Sequence, residues 1–413
     1  MAHIEPFRGV RPRRDLAHLV AAPPYDVLSS EEAREMAAGN PYSFLHVGKP
    51  EIDLPPGTDP YDDAVYAKGK ENFERFLREG VIFQDPTKNF YIYKQVWGDH
   101  TQVGLVAAAS CQDYLDDIIK KHELTRPDKE NDRMRHIETL EAQTGPVFLT
   151  YCRAQAIDDL IAEGMTVPPD YDFTTGDGVH HVFYVVAVPE LIARVKAEFG
   201  KLGCLYVADG HHRSAAATRI KVKRDNENPL HTGREEYSFF LAVIFPHNQV
   251  KILPYNRVVR DLNGLSVEAF LGKVDERFIR RPADHKAPAK SKEFCMFLDG
   301  EWHLLEARPG TFDADDSIGS LDVSILQMNL LGPVLGIADP RTDKRIDFVG
   351  GIRGTAELER KVRGGQFKVA FSLFPTTIDQ LFAVADSGKT MPPKSTWFEP
   401  KLKDGLAVHM ISE

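Results

Sequence analysis

The stretch Cys204-Leu205-Tyr206-Val207-Ala208-Asp209-Gly210-His211-His212-Arg213-Ser214-Ala215-Ala216-Ala217 constrains this chain more than any other. An apolar run of strand length ends in Asp-Gly, and a run of helix formers follows at once. A buried strand must therefore turn into a helix within a residue or two. The first backbone N–H groups of a helix have no intrahelical acceptor, and they favour an anion. Gly210 allows close backbone approach. Arg213 offers a planar fork of donors suited to phosphate. Asp209, His211 and His212 add proton-transfer or metal-binding capacity. The competing reading, a helix cap with a surface arginine, leaves a histidine pair on a tight turn without a packing reason.

The rest of the chain predicts mixed strands and helices. Ser29-Ser30-Glu31-Glu32 opens a helix to about Ala38, capped by serine with acids at its positive end. A Pro, Gly and Asp-rich loop over 51–63 precedes a helix from about Tyr61 to Glu79, with Val65, Phe73, Phe76 and Leu77 as its apolar stripe. Residues 90–96 and 103–110 read as strands joined by a turn at Gly98-Asp99-His100. The polar block 120–133 reads as a loop and then a helix through Leu140. Further strands are predicted at 146–150, 181–188 and 204–208, with a helix at 190–199. Segments 237–245 and 250–253 read as a strand pair. Strands around 294–298 and 302–306 and a helix around 321–331 complete the pattern. No regular βαβ count emerges, so the fold class is α+β rather than a doubly wound parallel sheet. Prolines near 280–292 suggest a boundary, giving a core over 1–280 and a mixed α/β C-terminal region over 281–413.

Bulk properties narrow the function. A chain of 413 residues has ample length for two or three domains. Its formal charge of −10 argues against nucleic acid as the main partner. No apolar run approaches the roughly 20 residues of a membrane span, and the N-terminal stretch lacks a signal-peptide core. Cys111, Cys152, Cys204 and Cys295 form no CxxC pair and read as reduced, mostly packed thiols of a cytoplasmic protein. No structural metal site is expected. The chain has no GxxxxGK[ST], GxSxG or GxGxxG pattern, and Gly350-Gly351-Ile352-Arg353-Gly354 reads as a turn.

Three further segments carry candidate chemistry. His122-Glu123-Leu124-Thr125 precedes Lys129 and Arg133, which are four apart and share a helix face. Glu123 could act as a base or hold magnesium, while His122, Thr125, Lys129 and Arg133 could contact substrate. A solvated, charged helix start is the competing reading. Met391-Pro392-Pro393-Lys394-Ser395-Thr396 could place Lys394 and Ser395 on phosphate oxygens, or could simply fasten the C-terminal region through Trp397 and Phe398. Asp26, in Pro23-Pro24-Tyr25-Asp26-Val27, is a substrate-binding candidate on what also reads as a structural turn.

These motifs, PPYDV, HELT, ADGHHR and MPPKST in that order, resemble the family called domain of unknown function 1015, over essentially the whole chain. The family's DGHHR loop is similar to that of the ParB and sulfiredoxin-like superfamily, which includes free serine kinases. The resemblance implies a ParB/sulfiredoxin-like nucleotide-binding core in which Gly210, His211, His212 and Arg213 cradle phosphates, with Lys394 and Ser395 as further phosphate contacts. It implies catalytic roles for Glu123 as base and for Asp209 and His211, with ATP or ADP and Mg2+ as cofactors. Sulfiredoxin chemistry is not implied, because His211 stands where a cysteine is needed. The expectation is phosphoryl transfer to or from a small hydroxyl metabolite, with free L-serine or phosphoserine as substrate. Alternatives are a ParB-like nucleotide-binding regulator and a metal-dependent hydrolase built on Asp209, His211 and His212.

Overall fold

The computed structural model describes residues 1–412. They form two compact units, one of residues 1–121, 125–250 and 400–413, the other of residues 122–124 and 251–399. The units part at 250 and 400 rather than near 280. Residues 278–282 instead form a strand inside the second unit, so Pro282 ends a strand and Pro288 lies in the loop that follows it, and neither marks a domain boundary.

In the first unit nine strands make one mixed sheet. They are β1 (Ile4–Glu5), β2 (Phe90–Trp97), β3 (His100–Ser110), β4 (Ile119–Lys120), β5 (Val147–Tyr151), β6 (Tyr171–Thr174), β7 (His180–Val186), β8 (Leu205–Asp209) and β9 (Phe239–Pro246). The order is β4-β8-β5-β9-β3-β2-β7-β6, with β1 on β3. Only the β4–β8 and β5–β9 pairs are parallel, which fits the α+β expectation. Every residue of β9 is buried, so this continuous apolar run takes a central position. The β2–β3 hairpin closes where Trp97 pairs with His100 across Gly98, whose φ is +59°.

The longer helices of this unit are α1 (Ser30–Ala37), α2 (Asp63–Arg78), α3 (Pro127–Leu140), α4 (Gln155–Gly164), α5 (Pro189–Phe199) and α6 (His211–Glu227). Helix α1 starts with a capping box in which the Ser29 hydroxyl accepts from the Glu32 N–H and the Glu32 carboxylate accepts from the Ser29 N–H. Helix α2 buries Val65, Phe73 and Phe76, while Leu77 at the edge of the stripe is 36% exposed. Helices α4 and α5 bury Ile157, Leu160, Leu191, Val195 and Phe199 in one core with Leu105, Leu149, Val207 and Ile244 of the sheet. A second cluster gathers Val10, Phe44, Phe73, Phe76 and Val408.

The second unit holds a six-stranded sheet. Its strands are β11 (Tyr255–Val259), β12 (Phe278–Pro282), β13 (Glu293–Leu298), β14 (Glu301–Ala307), β15 (Ile346–Gly350) and β16 (Val369–Leu373), in the order β12-β14-β13-β16-β11-β15. All its pairs are antiparallel. Strand β10 (Lys251–Leu253) pairs with β17 (Trp397–Glu399), not with 237–245 as the sequence suggested. The polar turn at 247–249 resembles a hairpin link, but β9 already has β5 and β3 as neighbours, so both its edges are taken. Helices α7 (Val267–Arg277), α8 (Gly354–Arg363) and α9 (Ile378–Asp386) belong to this unit, as does a short helix at Asp322–Leu326 that continues as a π-helical turn over Gln327–Leu331, where the sequence predicted one. Among the described residues no helix is long and apolar enough to cross a membrane. The four cysteines are free, with Cys111 and Cys295 buried but Cys152 exposed.

Candidate active site

Strand β8 ends with a bulge. Val207 pairs with Leu149, yet Asp209 pairs with the adjacent Phe148. A bulge at a strand end re-aims the last side chain. The next residue, Gly210, caps α6 from the left-handed region at φ +88°, and a Cβ there would lie 3.3 Å from the Val147 Cα. Both conditions select glycine. The 17-residue helix then begins with no side-chain cap and no acidic residue in its first turn. His211 is buried, while Asp209, Gly210, His212 and Arg213 are half-buried.

The Asp209 carboxylate is held on both oxygens. Oδ1 accepts from the Gly210 N–H at 2.8 Å, and Oδ2 receives the Lys401 ammonium at 2.7 Å. Its surroundings strip water and push its pKa up, but the Lys401 charge and hydrogen bond, the Gly210 N–H and nearby His211 outweigh that. The carboxyl stays below its usual range. Burial pushes the His211 imidazole down to about 4 against the upward pull of Asp209, with His212 adding to the fall. His211 is therefore neutral at pH 7 and able to accept a proton. His212 Nε2 accepts from the Arg126 backbone N–H at 3.1 Å, which puts the proton of the neutral ring on Nδ1.

Arg213 departs from the sequence expectation of a fork open to phosphate. Its Nη1 and Nη2 donate to the two Asp404 oxygens at 2.9 and 3.0 Å, and the two side chains are 13% and 5% exposed. Removing one partner of such a buried pair costs about 3–5 kcal/mol, because the other charge is stranded. The pair requires Gly145. A Cβ at that position would lie 1.6 Å from Arg213 Nη1 and 2.3 Å from an Asp404 oxygen.

Tyr25 joins the other motifs of this unit. The Arg133 guanidinium lies 3.8 Å from its ring centroid and that of Arg213 lies 5.4 Å away, both within cation–π range. Asp26 is exposed, and its charge helps to raise the pKa of Arg213. Arg133 also pairs with Asp132 at 2.7 Å. Lys129 lies on the same face of α3 but goes to a different ring, donating to the Tyr61 hydroxyl at 2.6 Å. The Thr125 hydroxyl donates to Glu130 at the start of α3, so it serves a local turn.

The other predicted residues belong to the second unit. His122 is buried and Glu123 half-buried. The His122 carbonyl accepts from the Met391 N–H at 2.7 Å, and its Nε2 lies 3.4 Å from the Thr396 hydroxyl. The HELT and MPPKST motifs thus meet. Lys394 is exposed at φ +59°, with its ammonium 5.4 Å from the Tyr255 ring centroid. Ser395 is buried, and its hydroxyl donates to the Pro392 carbonyl at 2.6 Å. That bond closes the loop and takes the proton expected for a phosphate contact.

Lys401 and Asp404 are the charge partners of Asp209 and Arg213 that sequence reasoning missed. They lie in a stretch with no motif character, 192 and 191 residues from Asp209 and Arg213. The lone available signal was the presence of Lys, Lys and Asp in an otherwise apolar C-terminal run. The site's fit to metal is poor at Asp209, whose oxygens are occupied by an N–H and an ammonium. With His212 Nε2 also engaged, the three-ligand hydrolase arrangement does not form.

The fold and site define an α+β protein with a glycine-capped strand–helix junction, buttressed by charged pairs from its C-terminal segment. The chain belongs to the family described as protein of unknown function (DUF1015), which matches residues 4–324. No curated protein matches it. Solved structures with partial likeness include a conserved hypothetical protein from Pyrococcus furiosus, at 13% identity and TM-score 0.36, covering 74% of this chain and 95% of that one. A free serine kinase in complex with AMP aligns at 11% identity and TM-score 0.35, covering 74% and 91%. C-terminally truncated SbnI from Staphylococcus aureus aligns at 13% and 0.35, covering 74% and 87%. Likeness at this level says nothing about the site.

Proposed function

We propose that residues 209–213 receive a phosphate group and that the protein is a phosphoryl-transfer enzyme acting on a small hydroxyl metabolite. The observation that carries this reading is the start of α6. A 17-residue helix opens on a left-handed glycine with neither a side-chain cap nor an acid in its first turn. Such a start offers backbone donors and the positive end of the helix dipole to an anion. Neutral His211 supports the reading as a group able to take a proton from a hydroxyl. Arg213 contributes by fixing the helix start, because its fork is bound to Asp404. Phosphoryl transfer depends mainly on positioning and charge neutralisation.

The resemblance of the four motifs extends the proposal to ATP or ADP as donor with Mg2+, to free L-serine or phosphoserine as substrate, and to Glu123 as base. The test is incubation of the protein with Mg2+ and serine plus ATP or ADP, and separately with phosphoserine, followed by 31P NMR. Phosphoserine formation or hydrolysis is expected, with a large loss in Glu123→Gln. Absence of turnover in every combination removes the serine version.

A ParB-like regulator that binds nucleotide without turning it over is the second reading. It is favoured by the commitment of Asp209 and Arg213 to Lys401 and Asp404, which suits a fixed binding platform. It predicts saturable nucleotide binding with no product.

A further inference from the structure

A cavity of about 140 Å³ lies in the first unit, between its sheet and helices α4 and α5. Strand alternation builds its floor. Leu105 pairs in register with Ile244, and Tyr151 pairs with Pro246 two residues further along β9, so all four side chains share one face of the sheet. Phe199, the last residue of α5, adds a ring whose centroid is 5.5 Å from that of Tyr151. The lining reaches the surface through the half-buried Asp158, Met165 and Gln249. The gap is not a loosely docked helix. At Gly164, the last residue of α4, a Cβ would lie 2.6 Å from Ile92 Cδ1 and 3.3 Å from Val186 Cγ2, so α4 presses on the sheet beside the cavity.

The few polar groups around this space are only partly engaged. Tyr151 is 1% exposed, yet its hydroxyl bonds no described residue. A buried tyrosine hydroxyl normally has a partner, because an unpaired one loses its hydration without return. Burial and the Asp158 charge push its pKa up, so it keeps its proton at pH 7 and can donate. Gln249 is anchored through Oε1, which accepts from the Val103 N–H at 2.8 Å, and its Nε2 bonds no described residue. Asp158 accepts from Arg153 Nε on Oδ2 at 2.6 Å, so its charge is balanced and its Oδ1 bonds no described residue. The lining therefore carries hydrogen-bonding groups without net charge, which selects a neutral ligand. A dry apolar cavity of about 150 Å³ accepts one benzene-sized ring. Water is a poor occupant, because it needs several polar partners and most of these walls are hydrocarbon.

We infer that this cavity is a binding site for a small neutral molecule, the size of a single six-membered ring, that carries a hydroxyl group. The ring lies against Leu105, Ile244 and Phe199, and the hydroxyl meets Tyr151 and Gln249. The site is separate from residues 209–213. Strand β8 runs antiparallel to β5 and ends beside Phe148, whereas Tyr151 is at the other end of β5. The full chain is titrated calorimetrically with phenol and separately with toluene, in the parent, Tyr151→Phe and Met165→Trp. Tyr151→Phe keeps the ring and removes only the hydroxyl. Met165→Trp fills the space from its half-buried edge. Circular dichroism and melting curves check that both fold. Saturable binding of phenol is expected, weakened at least fivefold in Tyr151→Phe, with toluene binding unchanged in that variant and both ligands lost in Met165→Trp. Equal phenol binding by Tyr151→Phe and the parent, or equal weakening of phenol and toluene, overturns the hydroxyl assignment. Failure of both ligands to saturate, or undiminished phenol binding in Met165→Trp, overturns the cavity as a site. Should Tyr151→Phe not fold, Gln249→Met removes the second donor and is read by the same criteria.

Discussion

Asp209 shows how a single residue is set by partners remote in sequence. Its carboxyl lies below the usual range because Lys401 and the Gly210 N–H outweigh its desolvation. A depressed acid stabilises the fold above its unfolded pKa, and that contribution disappears as pH falls through the folded value. The advantage of the parent over Lys401→Met should therefore be full near pH 6–7 and fade as pH drops below 3.8, the ordinary aspartate value. With Asp209 39% exposed, solvent screening keeps the difference to about 1 kcal/mol or less. Urea denaturation of both proteins from pH 3 to 7 checks this, and a difference independent of pH would sink the ion-pair account. The sequence revealed that Asp209 and Arg213 were unusual. It did not reveal that each already had a counter-charge, because a charge pair leaves no local pattern when its members lie nearly half the chain apart.

Helix α6 and the bulge before it form the element on which the site depends. Left-handed backbone strains any residue with a Cβ, and here the added carbon would also press on Val147. Gly210→Ala is expected to destabilise the first unit by about 1–2 kcal/mol and to weaken phosphate binding together with it. Denaturation and phosphate titration of the same variant give both numbers. An unstrained variant with parental binding would remove the close-approach argument. Elements with strong local signals were legible. The Ser29 capping box, the all-apolar β9 and the alanine-rich start of α6 all follow from nearest-neighbour chemistry. The partner of β10 was not legible, since strand pairing is a choice among distant edges and the turn at 247–249 favoured the wrong one.

At the scale of the molecule, the C-terminal segment closes the first unit. Asp404 donates its N–H to the Ala22 carbonyl at 2.8 Å, Val408 exchanges backbone hydrogen bonds with Val10, and His409 pairs with Gln143. The same segment delivers Lys401 and Asp404. Deleting residues 400–413 should strand the buried Arg213 charge at about 3–5 kcal/mol, a large share of a domain's total of about 5–15 kcal/mol. Loss of cooperative melting by circular dichroism and rapid limited proteolysis are expected, and a parental melting curve would contradict this role. The sequence by itself determined the strand-to-helix reversal at 209–213, the α+β class and most helices, because propensity, capping and apolar periodicity act over a few residues. The tertiary structure alone decided the unit boundaries at 250 and 400, the pairing of Arg213 with Asp404 and the loop-closing duty of Ser395. Those outcomes depend on which distant groups are buried against one another, and no local pattern encodes that.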